Sequence, residues 1–259
     1  MKLTRFKYLP LLLILLLSAC TQVSNKHTIM TYNIRHGVGM DRVLDLERVA
    51  RVIASVDPDI LVLNEVDERT QRSMGVAQTD SLAKLLNLQG RFCRSIDYDG
   101  GFYGNALLSR YPILDLQIID LSTDNLLEGR SVFIATLLAE PDTLKILGTH
   151  LGLDRTEQIQ QINNILSILP ETRNLILSGD FNLESNSEGY SHLTERLRDS
   201  YLEFSNSPAN TFPADDPQRR IDYIFIGSMI EPEHINPVKS TVVNVASDHL
   251  PQVLTFKVN

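Results

Sequence analysis

The chain has 259 residues, a formal net charge of −8 and two cysteines, and no segment in it resembles a linker between two ordinary domains. This length is enough for one large hydrophobic core. The acidic balance argues against a domain that grips long nucleic acid, because such domains usually carry a basic surface that neutralises phosphates. We therefore expect one domain of enzyme size, in which any basic patch is local.

The first nineteen residues have the three parts of a secretory signal. Lys2, Arg5 and Lys7 precede an apolar block at residues 9–17, and small residues follow it. The block is shorter than the about 20 apolar residues that a membrane span needs. Residues 1–19 hold three basic and no acidic groups, so the chain without them has 21 basic and 32 acidic residues, a net charge of −11.

The motif "LSAC", which ends at Cys20, resembles the lipobox of bacterial lipoproteins, in which the cysteine becomes the acylated N-terminus. Several acyl chains hold a protein to a bilayer more durably than one chain does. We predict a signal peptide at residues 1–19, a lipidated cysteine with a short tether at residues 20–27, and one domain at residues 28–259. The resemblance implies a lipoprotein of the bacterial cell envelope, anchored to a membrane with its domain outside the cytoplasm.

An acylated Cys20 leaves Cys93 without a disulfide partner. No histidine or asparagine pattern typical of a cysteine enzyme surrounds Cys93. We predict that it is a small buried apolar side chain.

The domain opens with alternating strand and helix signals. Residues 28–34, "TIMTYNI", are predicted as a strand. Residues 44–56 are predicted as an amphipathic helix, because their apolar side chains recur at helical spacing. A strand is expected again at residues 57–66, after the break at Pro58.

The middle of the domain is rich in residues that favour strands. Five segments with turn residues between them predict an antiparallel meander, at residues 91–96, 101–109, 113–121, 130–139 and 144–151. A second helix is predicted at residues 155–169, before an apolar strand that ends in "SGDFN", and a third at residues 188–197. The last predicted strands are residues 220–227, 238–245 and 252–258.

Helices between strands at both ends, with adjacent strands between them, predict mixed sheets covered by helices and hence an α/β sandwich. The two halves also resemble each other weakly. A helix, an apolar strand and a polar strand end occur once up to "LNEVD" and again up to "SGDFN".

Polar side chains flank the apolar strands in six motifs: "TYN", "LNEVD", "GTHLG", "SGDFN", "RRIDYIF" and "ASDHLP". If these strand ends converge, Glu65, Asp180, Asp222 and Asp248 share a crevice in which repulsion and burial raise carboxyl pKa values unless a cation is present. Oxygen ligands suit Mg²⁺ or Mn²⁺, and the lack of cysteine in the cluster disfavours a structural zinc site.

In this order, the six motifs resemble the endonuclease/exonuclease/phosphatase superfamily, which includes pancreatic-type DNases, abasic-site endonucleases, neutral sphingomyelinases and inositol polyphosphate 5-phosphatases. The resemblance covers nearly all of the chain after the signal. It implies a four-layer α/β/β/α sandwich of two mixed β-sheets flanked by helices, with the site at one rim between the sheets. It also implies divalent-metal-dependent hydrolysis of a phosphoester.

Matched by motif, the resemblance implies that Asn33, Glu65 and Asp248 belong to the metal site, Glu65 most directly. It implies that His249 contacts the reacting phosphate or serves as general base and that Asp222 pairs with it. An acid on one imidazole nitrogen fixes the tautomer, so the other nitrogen is free to exchange a proton near neutral pH.

The resemblance further implies that His150 donates to a phosphoryl oxygen as charge builds in the transition state. In extended backbone, Asp180 and Asn182 share one face while Phe181 points to the other. One of the two polar side chains would orient the attacking water and the other would hold a phosphoryl oxygen. The residue that acts as general base stays open.

Five further residues are candidates for substrate contact. Asn105 and Tyr103 lie in a segment that resembles the superfamily's "G-x-A-L-L-S-R" strand, and Arg130 resembles a residue that forks onto a phosphate. Arg35 and His36 follow Asn33 in a glycine-containing loop, which is either a substrate loop or a purely structural one.

Each motif also has an ordinary structural interpretation. "SGDFN" by itself is more typical of a turn with an Asx cap. Asp67 and Glu68 are expected to continue from Glu65 as a solvated loop. Outside the six motifs, three histidines are expected to have no catalytic role: His27, His192 and His234.

These patterns favour a monomeric hydrolase that uses Mg²⁺ or Mn²⁺ and attack by an activated water to cleave a phosphodiester, such as a phospholipid headgroup or another small diester. A secreted endo- or exonuclease is the alternative. It requires a basic groove formed by loops that carry seven arginines: Arg69, Arg72, Arg91, Arg94, Arg110, Arg219 and Arg220. A non-catalytic binding module of the same fold is the third possibility, disfavoured because the motif set is intact.

Overall fold

The computed structural model describes residues 26–123, 127–171, 173–204 and 209–259. The predicted signal peptide and the predicted lipidation site at Cys20 lie outside these residues. Among the helices that are described, none is long and apolar enough to cross a membrane.

The first sheet has six strands in the order β11-β12-β1-β2-β4-β3. These strands are β1 (Lys26–Asn33), β2 (Ile60–Glu68), β3 (Gln89–Tyr98), β4 (Gly101–Ser109), β11 (Ile230–Pro237) and β12 (Gln252–Val258). Three helices accompany them: α1 (Leu46–Ala54), α2 (Gln78–Leu86) and α5 (Val243–Ala246).

The second sheet has six strands in the order β5-β6-β7-β8-β10-β9. These strands are β5 (Ile113–Asp120), β6 (Ser131–Ala139), β7 (Asp142–His150), β8 (Leu175–Asp180), β9 (Arg198–Asp199) and β10 (Asp222–Ile226). Two helices accompany this sheet: α3 (Arg155–Ser167) and α4 (Glu188–Thr194).

Three hydrophobic clusters hold the layers together. One lies between the sheets and includes Ile29, Val62, Phe133 and Phe256. The other two bury the outer faces of the sheets under their helices. Alternate residues of β1 enter different clusters, since successive strand side chains point to opposite faces. The predicted α/β/β/α sandwich of two mixed sheets is confirmed.

Each sheet contains one parallel pair joined by a helix, and these pairs position the cleft described below. In the first sheet α1 connects β1 to β2, and in the second α3 connects β7 to β8. The carboxyl ends of parallel strands meet at one edge, so Asn33 pairs with Asn64 and His150 with Asp180. This repeat is the physical origin of the similarity between the two halves of the sequence.

The prediction of one continuous meander was wrong. Strands β3 and β4 pair with β2 in the first sheet, whereas β5, β6 and β7 form part of the second. The chain crosses between sheets after β4, because its apolar residues on both sides of the turn at residues 110–112 contribute to the core between them.

The strand predicted at residues 238–245 was also wrong. Its valines favour a strand, but Ser240 accepts from the backbone N–H of Val243 at 3.2 Å and α5 begins there. Val243 and Ala246, one helical turn apart, are buried in the cluster beneath α1.

Strand β11 and helix α2 were not predicted from the sequence. Cys93 is buried and free, as expected.

Phe181 anchors the "SGDFN" segment in the core. Its ring is fully buried and makes edge-to-face contacts with Tyr223 and Phe225 at centroid distances of 5.7 Å and 5.2 Å. We expect Phe181→Ala to lower the free energy of unfolding by about 3–5 kcal/mol, the usual cost of emptying an aromatic site in a core. Urea unfolding measures this change.

Phe204→Ala is the matched control, because the Phe204 side chain is 46% exposed. Its expected cost is below about 1 kcal/mol. An equal loss in the two variants would contradict the assignment of Phe181 to the core.

Candidate active site

A polar cleft of about 380 Å³ opens at the edge where β1, β2, β7 and β8 end. Its walls are formed by Glu65, Arg72, Tyr98, Tyr103, Glu128, Arg130, His150, Leu153, Asp180, Asn182, Phe212, Asp248 and His249. The structure therefore brings residues from four of the six motifs to its surface. Asn33 and Asp222, from the other two motifs, lie directly behind it and bond to Asp180 and His249.

Glu65 reaches the cleft through a bulge in β2. The pairing of β2 with β4 shifts between Leu63 and Val66, and Glu65 has left-handed backbone with φ +54°. A bulge redirects a side chain that regular alternation would place elsewhere. Burial raises the pKa of Glu65; a hydrogen bond from Asn33 opposes this rise, and the charge of Asp248 adds to it.

Asn33 joins the carboxylates of the two sheets. Its Nδ2 donates to Glu65 Oε1 at 2.9 Å and to Asp180 Oδ2 at 3.0 Å. Its Oδ1 accepts from the backbone N–H of Arg35 at 3.0 Å. Asn33 thus contributes to the predicted metal environment by placing two acids, with its own oxygen directed at Arg35.

Asp180 is the last residue of β8, and the backbone immediately before it has a conformation that requires glycine. Gly179 has φ +146°, and a Cβ there would overlap the carbonyl oxygen of Thr149. Asp180 is almost fully buried. Burial raises its pKa to about 7, with Asp222 adding to the rise, while His249 and Asn33 oppose it.

The extended backbone predicted for residues 180–182 was wrong. Asn182 has φ +53°, and its N–H donates to Asp180 Oδ1 at 3.0 Å, which is an Asx turn. This turn is part of the site, because it brings the side chains of Asp180 and Asn182 to the cleft. Asn182 Nδ2 donates to the carbonyl of Leu151 and lies 3.0 Å from His150 Nε2.

His249 and Asp222 form a buried pair. Nδ1 of His249 lies 2.9 Å from Asp222 Oδ2, and this oxygen also accepts from Thr211 Oγ1 at 2.5 Å. The other ring nitrogen lies 3.6 Å from Asp180 Oδ2. Burial lowers the pKa of His249, but the charges of Asp222 and Asp180 outweigh it and raise the pKa to about 10.

His150 has the opposite electrostatic environment. Burial, with the nearby charges of Arg130 and His249, holds its pKa well below the ordinary value. An arginine can only donate, so His150 Nδ1, 3.3 Å from Arg130, is the acceptor. Nε2 of His150 faces the cleft and lies 3.0 Å from Asn182 Nδ2 and 3.5 Å from Asp180 Oδ2.

The remaining candidates differ in their access to the cleft. Tyr103 and Arg130 lie side by side in its wall. Arg35 Nε lies 3.5 Å from Asp248 Oδ2, and His36 Nδ1 lies 3.9 Å from Glu65 Oε2. The placement of Asn105 as a substrate contact was wrong in this structure, because its side chain is buried behind the wall.

The environment of Asp67 also differs from its prediction as a solvated loop. Asp67 is fully buried in β2. Its Oδ1 accepts from Arg72 Nη2 at 2.7 Å and its Oδ2 accepts from Arg72 Nε at 2.8 Å. Thr70 and Ser73 donate to the same carboxylate. Arg72, which the sequence analysis named only as one of seven arginines of a nuclease groove, lines the cleft with its guanidinium 4.4 Å from the Tyr98 ring.

Asn64, adjacent to Glu65, was missed as a residue that supports the site. Its Nδ2 donates to Asn105 Oδ1 at 2.7 Å and to the carbonyl of Thr149 at 2.9 Å, and its Oδ1 accepts from the N–H of Asp180 at 2.9 Å. These bonds join the two sheets beneath the cleft. Its position in "LNEVD", one residue from the bulge, was the available signal.

We expect Asn64→Leu to lower the free energy of unfolding by about 2–4 kcal/mol, because it leaves several buried polar groups without partners. We also expect kcat to fall about tenfold or more, because the backbone N–H of Asp180 loses its hydrogen bond to Asn64 Oδ1. Unfolding curves and initial rates measure these effects. Asn163→Leu, at an exposed position of α3, is the control and should change neither.

Two separate sets of the described side chains could hold a cation. Asp180, Asp222 and His249 each present an atom within 4.8 Å of the others. Glu65 and Asp248 form the second set, close enough that Asp248 contributes to the raised pKa of Glu65. The oxygen-rich composition fits a hard divalent ion, and the buried Asp222 Oδ1 has no hydrogen-bond partner among the described residues.

Two packed mixed sheets with an acid and histidine cleft at their shared rim define a phosphohydrolase fold of the α/β sandwich class. The model of the Endonuclease/Exonuclease/phosphatase family matches residues 30–249. This chain therefore belongs to the Endonuclease/Exonuclease/phosphatase family.

Relatives and solved structures agree with this assignment. The uncharacterized protein YbhP of Escherichia coli K12 is 27% identical over 213 residues, which cover 76% of this chain and 83% of YbhP. The structure of an endonuclease/exonuclease/phosphatase from Beutenbergia cavernae has a TM-score of 0.73 at 23% identity and covers 90% of this chain and 72% of that one.

Two further solved structures share the fold. The human Nocturnin catalytic domain, with a bound sulfate anion, has a TM-score of 0.72 at 23% identity, covering 90% of this chain and 94% of that one. The mannosyl-6-phosphatase Bt3783 of Bacteroides thetaiotaomicron has a TM-score of 0.69 at 18% identity, covering 88% and 98%.

Proposed function

We propose that this protein is an extracytoplasmic phosphodiesterase, dependent on Mg²⁺ or Mn²⁺, that acts on a phospholipid headgroup or another small phosphodiester. The observation that carries the proposal is the arrangement around Asp180 Oδ2, which lies 3.5 Å from His150 Nε2 and 3.6 Å from His249 Nε2 in an open cleft. A carboxylate between two imidazoles can exchange protons and present donors to one phosphoryl group.

Each side chain then has a role that its neighbours impose. Asp222 holds His249 by Nδ1 and keeps Nε2 directed at the cleft. Asp180 takes the proton of the attacking water, while His249, whose raised pKa keeps its ring protonated near neutral pH, donates from Nε2 to a phosphoryl oxygen. His150, whose Nδ1 faces Arg130, would donate from Nε2 and stabilise charge on a phosphoryl oxygen. Asn182 and Arg130 complete the polar wall beside it.

Glu65 and Asp248 would hold the divalent ion, with Asn33 orienting Glu65. A bound ion neutralises phosphate charge and lowers the pKa of water in such sites. The fit is supported by the raised pKa of Glu65, which reports buried negative charge that a cation would offset.

The pairing of the basic side chains favours a small substrate over nucleic acid. Six of the seven arginines that a nucleic-acid groove requires lie against carboxylates: Arg69 with Glu68, Arg72 with Asp67, Arg94 with Asp97, Arg110 with Asp57 and Asp59, Arg219 with Glu184, and Arg220 with Asp199. The seventh, Arg91, donates to the carbonyl of Gly90. Neighbouring acids thus offset the charge that would neutralise phosphates.

The position of the cleft also bears on the predicted anchor at Cys20. β1 begins at Lys26, and its other end, Asn33, lies behind the cleft. Eight extended residues span about 26 Å. A tether to Lys26 would join the domain at the start of β1, the end of the strand that is farther from the cleft. This arrangement favours substrates that approach from the aqueous compartment.

A substrate panel with the full-length chain in detergent tests the proposal. We expect hydrolysis of small phosphodiesters or phospholipids with Mg²⁺ or Mn²⁺, and its loss on addition of a chelator. Activity that survives chelation would contradict the proposed chemistry. Preferential cleavage of DNA with a steep salt dependence would favour the nuclease, and inactivity on every phosphoester would favour the binding module.

A further inference from the structure

The loop after Asn33 holds unusual backbone beside the cleft. Arg35, His36 and Gly37 are consecutive residues with φ of +48°, +43° and +77°. Left-handed backbone is unfavourable for residues with a Cβ and persists where surrounding contacts impose it. Two contacts hold this loop: Gln78 Nε2 donates to the carbonyl of His36 at 2.7 Å, and Arg35 N–H donates to Asn33 Oδ1.

This backbone brings the His36 ring to Glu65, itself a left-handed residue. Nδ1 of His36 lies 3.9 Å from Glu65 Oε2. This atom is closed off from solvent and has no hydrogen-bond partner among the described residues. At 3.9 Å the two atoms are too far apart for a hydrogen bond.

The same separation fits two atoms that bind one cation. Ligand atoms that each lie about 2.1 Å from an ion are at most about 4.2 Å apart. Two independently strained residues, Glu65 and His36, thus converge at a spacing that leaves room for an ion between them. This is where the proposed function already requires one.

We propose that His36 Nδ1 is a nitrogen ligand to the divalent ion held by Glu65, and that it makes the site selective for Mn²⁺ over Mg²⁺. This inference rests on the proposed function. Mg²⁺ strongly prefers oxygen ligands, whereas imidazole binds first-row transition ions well. A histidine added to a carboxylate pair therefore shifts the preference of the site toward Mn²⁺.

His36→Gly separates this role from a structural one. Glycine adopts positive φ without strain, so the loop should keep its backbone when the ring is removed. Circular dichroism and thermal unfolding of the full-length chain would verify this. His249→Asn is the matched variant, because His249 is the imidazole that lies together with Asp180 and Asp222 closely enough to share an ion with them.

Pulsed electron paramagnetic resonance of bound Mn²⁺ detects a directly coordinated imidazole nitrogen, and titrations give the affinities for Mn²⁺ and Mg²⁺. We expect the nitrogen coupling in the parent and in His249→Asn, and its loss in His36→Gly. His36→Gly should also weaken Mn²⁺ binding about 10- to 100-fold and Mg²⁺ binding much less.

Other outcomes would overturn the inference. If the coupling is lost in His249→Asn and kept in His36→Gly, His249 is the nitrogen ligand. If His36→Gly raises KM with both metal affinities unchanged, His36 contacts the substrate, and the proposed function stands without this inference. If the parent binds neither ion, the inference and the proposed metal-dependent function fail together.

Discussion

Replacing His249 with asparagine is expected to lower kcat/KM for phosphodiester hydrolysis by about 10³-fold, within the range for loss of a group that moves a proton in the transition state. The change removes the ring nitrogen that lies 3.6 Å from Asp180 and the one that binds Asp222. Initial rates with saturating Mn²⁺ measure the effect, so that weaker metal binding does not contribute to it.

His192→Asn is the matched control, since His192 is only partly buried on α4 and binds Asn163 of α3, and neither residue lines the cleft. Its activity should stay within about twofold of the parent. A His249→Asn variant that folds and retains full activity would remove His249 from the mechanism and leave Asp180 as the residue to test next.

Glu65→Gln is expected to separate stability from metal binding. The raised pKa of Glu65 means that the folded state disfavours its ionised form, so a neutral isostere should stabilise the metal-free protein near neutral pH. We expect an increase in Tm of about 2–4 °C, which corresponds to about 1 kcal/mol. The amide oxygen can still accept from Asn33, so the geometry should persist.

The same variant should lose the stabilisation that Mn²⁺ or Mg²⁺ gives the parent, because a ligand that binds only the folded state raises Tm in proportion to its affinity. Activity should fall at least about 10²-fold. Glu68→Gln, three positions further along β2, is the control and should keep the response to the ion. An unchanged response in Glu65→Gln would place the ion elsewhere, with Asp180, Asp222 and His249 as the next set to vary.

The sequence alone was enough to predict the class of fold and most of the acids and histidines that line the cleft. Alternating strand and helix signals gave mixed sheets covered by helices, because the periodicity of apolar residues reflects which faces are buried. The six motifs predicted the polar side chains of the cleft, since carboxyl ends of parallel strands meet at one edge. At Asp180 the Asx turn that is typical of "SGDFN" in isolation is present, although extended backbone was predicted there.

What the sequence did not determine depends on contacts between distant segments. The crossing from β4 to β5 and the helix at Val243 follow from which core each apolar residue joins, and local preference for strands does not specify that. Asn105 matched a family strand but lies behind the cleft, where its Oδ1 accepts from Asn64 Nδ2.

The tertiary structure alone determined the direction of each polar side chain. The bulge at Glu65 and the left-handed loop at His36 are backbone states that neither residue prefers, so no local pattern predicts them. Packing of the two sheets imposes these states and converts a list of acids and histidines into a cleft with defined distances. The sequence specified most of the acids and histidines that meet at the cleft, and long-range packing specified where they point.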